Sequence, residues 1–258
     1  MENQNFMDPN FVPDEFKIPY DVIELPSQGL LYPNKKSSVK VEYLTAFDEN
    51  ILTSPNISNN GNVLDILINR KVKDLGFEPS KLLEGDRMAI LIFLRTTSFG
   101  VDYLQPVLDP QSRMVVEGTI DLSELKQKKL IIQPNESGWF DFVLPVSGKN
   151  IKFRFLTGDD ENDITIKDNE ILSRNNDGIS HKTTLRLERS IMDIDGDTDK
   201  MKISNLIKNL TIVDIRKLNK YITDIEPGID FKTIAMTPGG ESIETFLRIN
   251  KNFFWPEL

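Results

Sequence analysis

Cysteine is absent and histidine occurs once, at His181. The first absence excludes disulfides, thiolate nucleophiles and cysteine-ligated metal, and the second removes almost every histidine-based metal site or acid–base pair. Neither a G-x-G-x-x-G nor a Walker-type phosphate loop is present, and no G-x-S-x-G elbow accompanies His181. No run approaches the roughly 18 apolar residues of a membrane span. The opening Met-Glu-Asn-Gln-Asn has neither the basic nor the apolar region of a signal peptide, so a cytoplasmic protein is expected. Basic residues are outnumbered 31 to 40, and the net charge of −9 opposes tight, sequence-independent binding to phosphate backbones. Nucleic acid, membrane and small-molecule substrate are therefore not expected as partners, and no cofactor, resident metal or catalytic residue is assigned. The 40 acids guarantee chance neighbours, so no carboxylate pair can be singled out for catalysis.

What is present is a phrase said twice. Val39-Lys-Val-Glu-Tyr-Leu-Thr-Ala-Phe-Asp-Glu-Asn50 returns 112 positions later as Ile151-Lys-Phe-Arg-Phe-Leu-Thr-Gly-Asp-Asp-Glu-Asn162, with six of twelve pairs identical. A second match follows in the same order at an offset of 128. Asp86, Gly100-Val-Asp-Tyr103 and Pro110 recur as Asp214, Gly228-Ile-Asp-Phe231 and Pro238. Upstream, Leu25-Pro26-x-x-Gly29 is echoed by Leu144-Pro145-x-x-Gly148. The growth in offset places a 16-residue insertion in the second copy. Two copies are too few for a solenoid, which needs about three or more repeats. The expectation is an α+β protein of two diverged tandem modules, 25–143 and 144–258, packed as a pseudo-twofold pair behind an arm, 1–24. Each module would run through short helices into an antiparallel β-hairpin.

Coarse periodicity fills in the modules. Val39, Val41 and Tyr43 alternate as a strand, and Thr45-x-x-Asp48, Thr157-x-x-Asp160 and Thr211-x-x-Asp214 each read as helix initiation, with the acid near the positive end of the helix. Helices are expected at 61–75 and 84–97, the second apolar around much of its circumference and so a core helix. Short strands are expected at 101–108, 114–121, 128–133, 139–144 and 150–156. The insertion reads as a helix through Asn169 to Gly178, a loop, and a long strand over 182–194, where Thr184, Arg186 and Glu188 alternate with Leu185, Leu187 and Arg189. Paired helices at 200–210 and 213–223 precede a terminal hairpin of 229–235 and 243–249.

Interaction candidates lie at the two ends. The arm spaces Phe6, Phe11, Phe16 and Tyr20 among prolines at 9, 13 and 19, a pattern that suits an extended segment docking on a partner or on its own body. Phe253-Phe254-Trp255-Pro256 supplies large contact area at low entropic cost, either to a partner or folded back to seal the second module. Asp193, Asp195, Asp197 and Asp199 imitate a calcium loop. However, the sixth position is Thr198 rather than glycine and the twelfth is Ser204 rather than glutamate, so a turn with a helix N-cap is the simpler reading. Lys126-Gln-Lys-Lys129 reads as a solvated turn or edge.

Taken in order, Leu25-Pro26-Ser27-x-Gly29-x-x-Tyr32-Pro33, Leu44-Thr45-Ala46-x-Asp48-Glu49-x-Ile51-Leu52, Asp86-Arg87, Leu94-Arg95, Gly100-x-x-Tyr103 and Phe253-Phe254-Trp255-Pro256 resemble the baseplate hub assembly proteins of T-even-like contractile-tailed bacteriophages. The resemblance spans about 25–256. It implies a non-enzymatic protein of virion morphogenesis, working through contacts with hub or wedge subunits in the cytoplasm of an infected cell, with or without a place in the finished tail baseplate. Many relatives carry a Cys-Pro-x-Cys zinc knuckle after each Gly-x-Asp-aromatic strand. Here those positions are Asp109-Pro110-Gln111-Ser112 and Thr237-Pro238-Gly239-Gly240, so zinc is not carried over and turn chemistry must close each hairpin alone. The alternative from another class is a cytoplasmic metal- or ligand-binding regulator resting on the aspartate run. A hydrolase using unplaced carboxylates is a third.

Overall fold

β1 (Tyr20–Glu24) and β2 (Ser38–Glu42) form an antiparallel hairpin in register Tyr20↔Glu42, and β3 (Val72–Lys73) adds to the far side of β2. The computed structural model describes residues 17–54, 63–175, 178–249 and 251–254. Val39 and Val41 point into the core while Lys40 and Glu42 do not, the alternation expected of a half-buried strand. α1 (Ala46–Thr53) starts as its sequence predicts, the Asp48 carboxylate accepting from the Thr45 N–H and hydroxyl at 2.8 Å each. Asp48 is itself buried, and it ion-pairs with Lys71 and with Arg70 (2.9 Å), at the end of α2 (Val63–Lys71). α3 (Glu84–Phe99) is the core helix, burying Ile90, Leu91 and Leu94 and ending at Gly100, whose φ of 82° favours glycine. β4 (Asp102–Leu108) and β5 (Val115–Asp121) follow as a hairpin.

The second half follows a similar succession with an additional helix and a short extra strand. After β6 (Gln127–Lys128), β7 (Phe140–Val143) and β8 (Asn150–Phe153) form a hairpin to which β9 (Ile191–Ile194) adds beside β8, as β3 does beside β2. α4 (Gly158–Asn175), α5 (Lys182–Ser190), α6 (Lys200–Ile207) and α7 (Ile212–Ile225) lead to β10 (Gly228–Ile229) and to the hairpin of β11 (Lys232–Met236) and β12 (Ser242–Phe246). The fold is mixed α+β with antiparallel sheets. No helix among the described residues is long and apolar enough to cross a membrane.

Two stretches depart from expectation: the strand expected at 128–133 is confined to Gln127–Lys128, and the other lies between α4 and β9. Residues 182–190 are helix, not the first part of a long strand, and only 191–194 are extended. The helix lies between two apolar clusters, Leu185 packing with Leu156 and Ile164 while Leu187 joins the main core. Apolar residues two apart on a helix sit on nearly opposite sides, so burial on both sides reproduces the period of a strand. Its remaining face is tied to α4 by Arg186–Glu161 (2.5 Å) and Arg189–Asp163 (2.7 Å), whose arginines are spaced i,i+3.

Several contacts join the halves. β11 pairs with β5 (Ala235↔Ile120, Met236↔Thr119), giving a four-stranded sheet in the order β12-β11-β5-β4. By the internal repeat β11 corresponds to β4 and β12 to β5, so a twofold axis between the hairpins would pair β4 with β11 or β5 with β12. The observed seam joins non-equivalent strands and is head-to-tail. β10 pairs with β6, and at Gly85, at the start of α3, an added Cβ would lie 1.9 Å from the Pro227 carbonyl oxygen. One hydrophobic cluster runs from Leu25 through Leu94 and Phe153 to Phe254.

The repeated phrases make equivalent contacts. Asp86, in the first turn of α3, accepts from the Ser27 N–H (2.9 Å), the Ser27 hydroxyl (2.5 Å) and the Tyr32 hydroxyl (2.5 Å), holding the Leu25-Pro26-Ser27-x-Gly29 loop. Asp214, in the first turn of α7, accepts from the Val146 N–H (2.8 Å) and the Ser147 N–H (3.1 Å), holding Leu144-Pro145-x-x-Gly148. Both loops turn at a glycine with positive φ, 71° at Gly29 and 67° at Gly148. At Gly29 an added Cβ would also lie 2.4 Å from the Lys36 carbonyl oxygen, so only glycine fits.

Candidate partner-binding face

The residues singled out at the ends of the chain fall into three groups. Phe6, Phe11, Phe16 and Trp255 lie outside the described residues. Tyr20 is exposed on the edge strand β1, with the Lys40 ammonium 5.2 Å from its ring centre. Phe253 and Phe254 are buried in the 3-10 turn Lys251–Phe254, Phe253 edge-on to Tyr103 and Phe254 edge-on to Phe99. They therefore seal α3 and β4 of the first half rather than the second module. Polar groups at these positions steer the chain there. Gln105 donates to the Phe246 carbonyl (3.0 Å) and accepts from the Arg248 N–H (2.7 Å). Tyr103 donates to the Arg248 carbonyl, and buried Arg95 donates to the carbonyls of Phe253 (2.7 Å), Gly100 and Asp102.

The acidic candidates have structural employment. Asp160 accepts from both Arg154 guanidinium nitrogens at 2.7 Å as well as from Thr157, so burial, which would raise its pKa, is outweighed and the group stays below the usual carboxylate range. Asp48 has the same balance. Burial pushes its pKa up, hydrogen bonds from Lys71, Thr45 and Arg70 pull it further down, and it settles at about 2. In the aspartate run, Asp193 accepts from the Gly196 N–H, Asp195 from the Asn150 N–H and Lys149, and Asp197 from Lys202, while Asp199 caps α6. Among the described residues no three His, Asp or Glu side chains converge as metal ligands. His181 occupies the N-cap position of α5, its N–H bonded to Asp168 at 2.6 Å, and Lys128 reaches the Thr223 carbonyl.

The two knuckle positions are closed by turn chemistry. Asp109 accepts from the Gln111 N–H and from the Ser112 N–H and hydroxyl, with both carboxylate oxygens engaged. Thr237 accepts from the Glu241 N–H, and Gly240 turns the chain at φ 82°. Neither turn offers a thiol, and the one carboxylate is spent on its own backbone. These residues do not fit a zinc ion.

The feature that sequence reading missed is the outer face of the β12-β11-β5-β4 sheet. In β4 the core-facing residues are Tyr103, Gln105 and Val107, with Gln105 only 1% exposed, while Leu104 (55%) and Leu108 (62%) face solvent. The same side presents Val115 of β5, Ile234 and Met236 of β11, and Phe246 of β12 (64%). Cross-strand register sets Met236 beside Thr119 and Thr119 beside Leu104, so two apolar side chains flank a threonine across the seam. A signal was available, since Asp-Tyr-Leu-Gln-Pro-Val-Leu carries large apolar residues in both parities. That pattern reads equally well as a strand covered on both faces.

An open groove of about 670 Å³ runs along this face. Ile234, Met236 and Thr119 form its floor, with Asp102, Asp121, Glu124, Asp230 and Glu244 around it against Lys126 and Lys232. Lys232 already pairs with Glu244 at 3.2 Å. The Ser123 hydroxyl and N–H hold the Asp121 carboxyl below its ordinary pKa, so it is ionised at neutral pH. Asp102 stands directly opposite Asp121 in the ladder, a like-charge pair that costs stability in an antiparallel sheet.

Compared with known protein families, curated proteins and solved structures, the chain matches none.

Proposed function

We propose that this chain is a non-enzymatic assembly or structural protein of the tail baseplate hub of a contractile-tailed bacteriophage, acting through protein–protein contacts during virion morphogenesis. The observation that carries the protein-contact reading is the solvent-facing apolar surface of the shared sheet, which is unusual for an isolated soluble molecule and common where a partner docks. The hub assignment rests on the ordered phrases from Leu25-Pro26 to Phe253-Phe254, which resemble that phage family. Two diverged modules are part of the same reading, supported by the matched loop contacts of Asp86 and Asp214. Hub or wedge subunits are the proposed partners, met in the infected cell's cytoplasm, and a place in the finished tail is compatible with the same role.

Co-expression with the hub gene set of a T-even-like phage tests this directly. The chain should co-elute with at least one hub or wedge subunit, and its deletion should block or slow baseplate formation. If it elutes alone and deletion leaves plated phage and baseplates normal, the assembly role is wrong.

A further inference from the structure

We infer that the outer face of the β12-β11-β5-β4 sheet takes a basic amphipathic segment of another protein, its apolar side on Ile234, Met236 and Leu104 and its lysines or arginines against Asp102, Asp121 and Glu244. This deepens the protein-contact reading above by naming the chemistry of the partner, and it does not depend on the phage assignment.

Charge decides among the possible occupants. Five carboxylates against two lysines leave the groove acidic, and with Lys232 and Glu244 paired to each other four carboxylates still face one lysine. A second copy meeting the first through this face would set carboxylates against carboxylates. Residues 1–16 of the chain itself contain Glu2, Asp8, Asp14 and Glu15 with no lysine or arginine, so they too carry the wrong sign. A simple polycation would satisfy the acids while leaving Ile234, Met236 and Leu104 in water. Only a segment with both an apolar and a basic side answers both features of the face. Asp102 opposite Asp121 adds a reason, because a cation placed between them relieves a repulsion that the folded chain otherwise bears.

The test uses the full chain and fluorescence anisotropy of a short labelled peptide alternating leucine and lysine. The same measurements are made on a leucine–glutamate peptide of equal length. The lysine peptide is expected to bind and the glutamate peptide to bind at least about tenfold more weakly, with the difference shrinking at high salt. Ile234→Ser with Met236→Ser should weaken the lysine peptide by roughly tenfold or more, and Asp121→Asn with Glu244→Gln by about threefold to tenfold. All four side chains face solvent or line the groove, so thermal melting should stay within a few degrees of the parent, which separates lost binding from lost folding. Equal binding of the two peptides, binding untouched by either double variant, or no binding of the lysine peptide overturns the inference. So does concentration-dependent dimerisation in sedimentation that the Ile234→Ser/Met236→Ser variant abolishes, since the face would then join two copies of this chain.

Discussion

Asp86→Ala should be among the most damaging single substitutions in the chain, and comparing it with Asp86→Asn shows how the loop before α3 is held. Asp86 is fully buried and accepts three hydrogen bonds, from the Ser27 N–H, the Ser27 hydroxyl and the Tyr32 hydroxyl. Leaving a buried donor without an acceptor costs about 1–3 kcal/mol each. Alanine strands one backbone N–H outright. The two hydroxyls lose their acceptor but can still accept, from the Gly29 N–H and the Leu83 N–H respectively. Burial also raises the pKa of Asp86, so removing the carboxylate recovers part of a desolvation cost. The balance is about 3–4 kcal/mol, or roughly a 10 °C fall in Tm for a chain of this size. Asparagine keeps an oxygen for the Ser27 N–H and offers an amide that rotated hydroxyls can accept, so its cost should be about 1–2 kcal/mol.

Asp214 is the internal control. Its two loop donors are backbone N–H groups of Val146 and Ser147, which cannot reverse direction, so asparagine should lose a larger share of what alanine loses there. The pH dependence differs in sign as well. A carboxyl raised in the folded state makes stability greatest below its unfolded pKa and lower as pH rises through the folded value, which applies to Asp86. At Asp214 burial pushes upward, but the Val146 and Ser147 donors prevail and the pKa is lowered, so its contribution is lost as pH falls through the depressed value. Urea unfolding of the four variants across pH, followed by circular dichroism, reads all of this. If Asp86→Asn is as damaging as Asp86→Ala while Asp214→Asn is silent, the account of both loops is wrong.

Glu226 is pushed by burial, with Glu84 and Glu161 adding to it and Arg186 and Lys128 opposing, from 4.5 to about 7. Stability should therefore fall between those two pH values, and Glu226→Gln should flatten the profile and exceed the parent at pH 8 by on the order of 2–3 kcal/mol. A parallel pair of melting curves against pH would contradict this. Gly85→Ala places a Cβ against the backbone of Pro227 and Gly228, so despite a gain of about 1 kcal/mol in helix propensity it should destabilise by about 2–3 kcal/mol. A rise in Tm for this variant would show that the two halves do not meet there. Arg95→Met removes the donors to three carbonyls and should cost about 3–5 kcal/mol, with the C-terminal segment becoming cleavable by limited proteolysis while α3 stays protected. Uniform loss of protection would mean that Arg95 holds the whole fold rather than this segment.

Much of the local structure could be read before any coordinates. The Thr45–Asp48 and Thr157–Asp160 capping contacts, the apolar circumference of α3, and the hairpins at 102–121 and 232–246 all depend on residues a few positions apart. The 182–190 helix was misread because Leu185 and Leu187 serve two different clusters, and a strict alternation cannot distinguish that from a strand. In the candidate face, nothing in 102–108 says which parity meets the core. Buried Gln105 and exposed Leu104 invert the ordinary rule because Gln105 hydrogen-bonds to a segment more than 140 residues away.

By itself the sequence determined which residue types this protein lacks and where several of its helices begin. Each of these follows from residue identity or short-range backbone geometry. Only the tertiary structure decided that β11 joins β5 between the two halves, that Phe253 and Phe254 are spent on the first half, and that an apolar, acid-rimmed face is exposed among the described residues. The reason is that strand partners and exposed parities are set by long-range pairing and burial. These contacts have no fixed spacing in the chain and so leave no periodic mark on it.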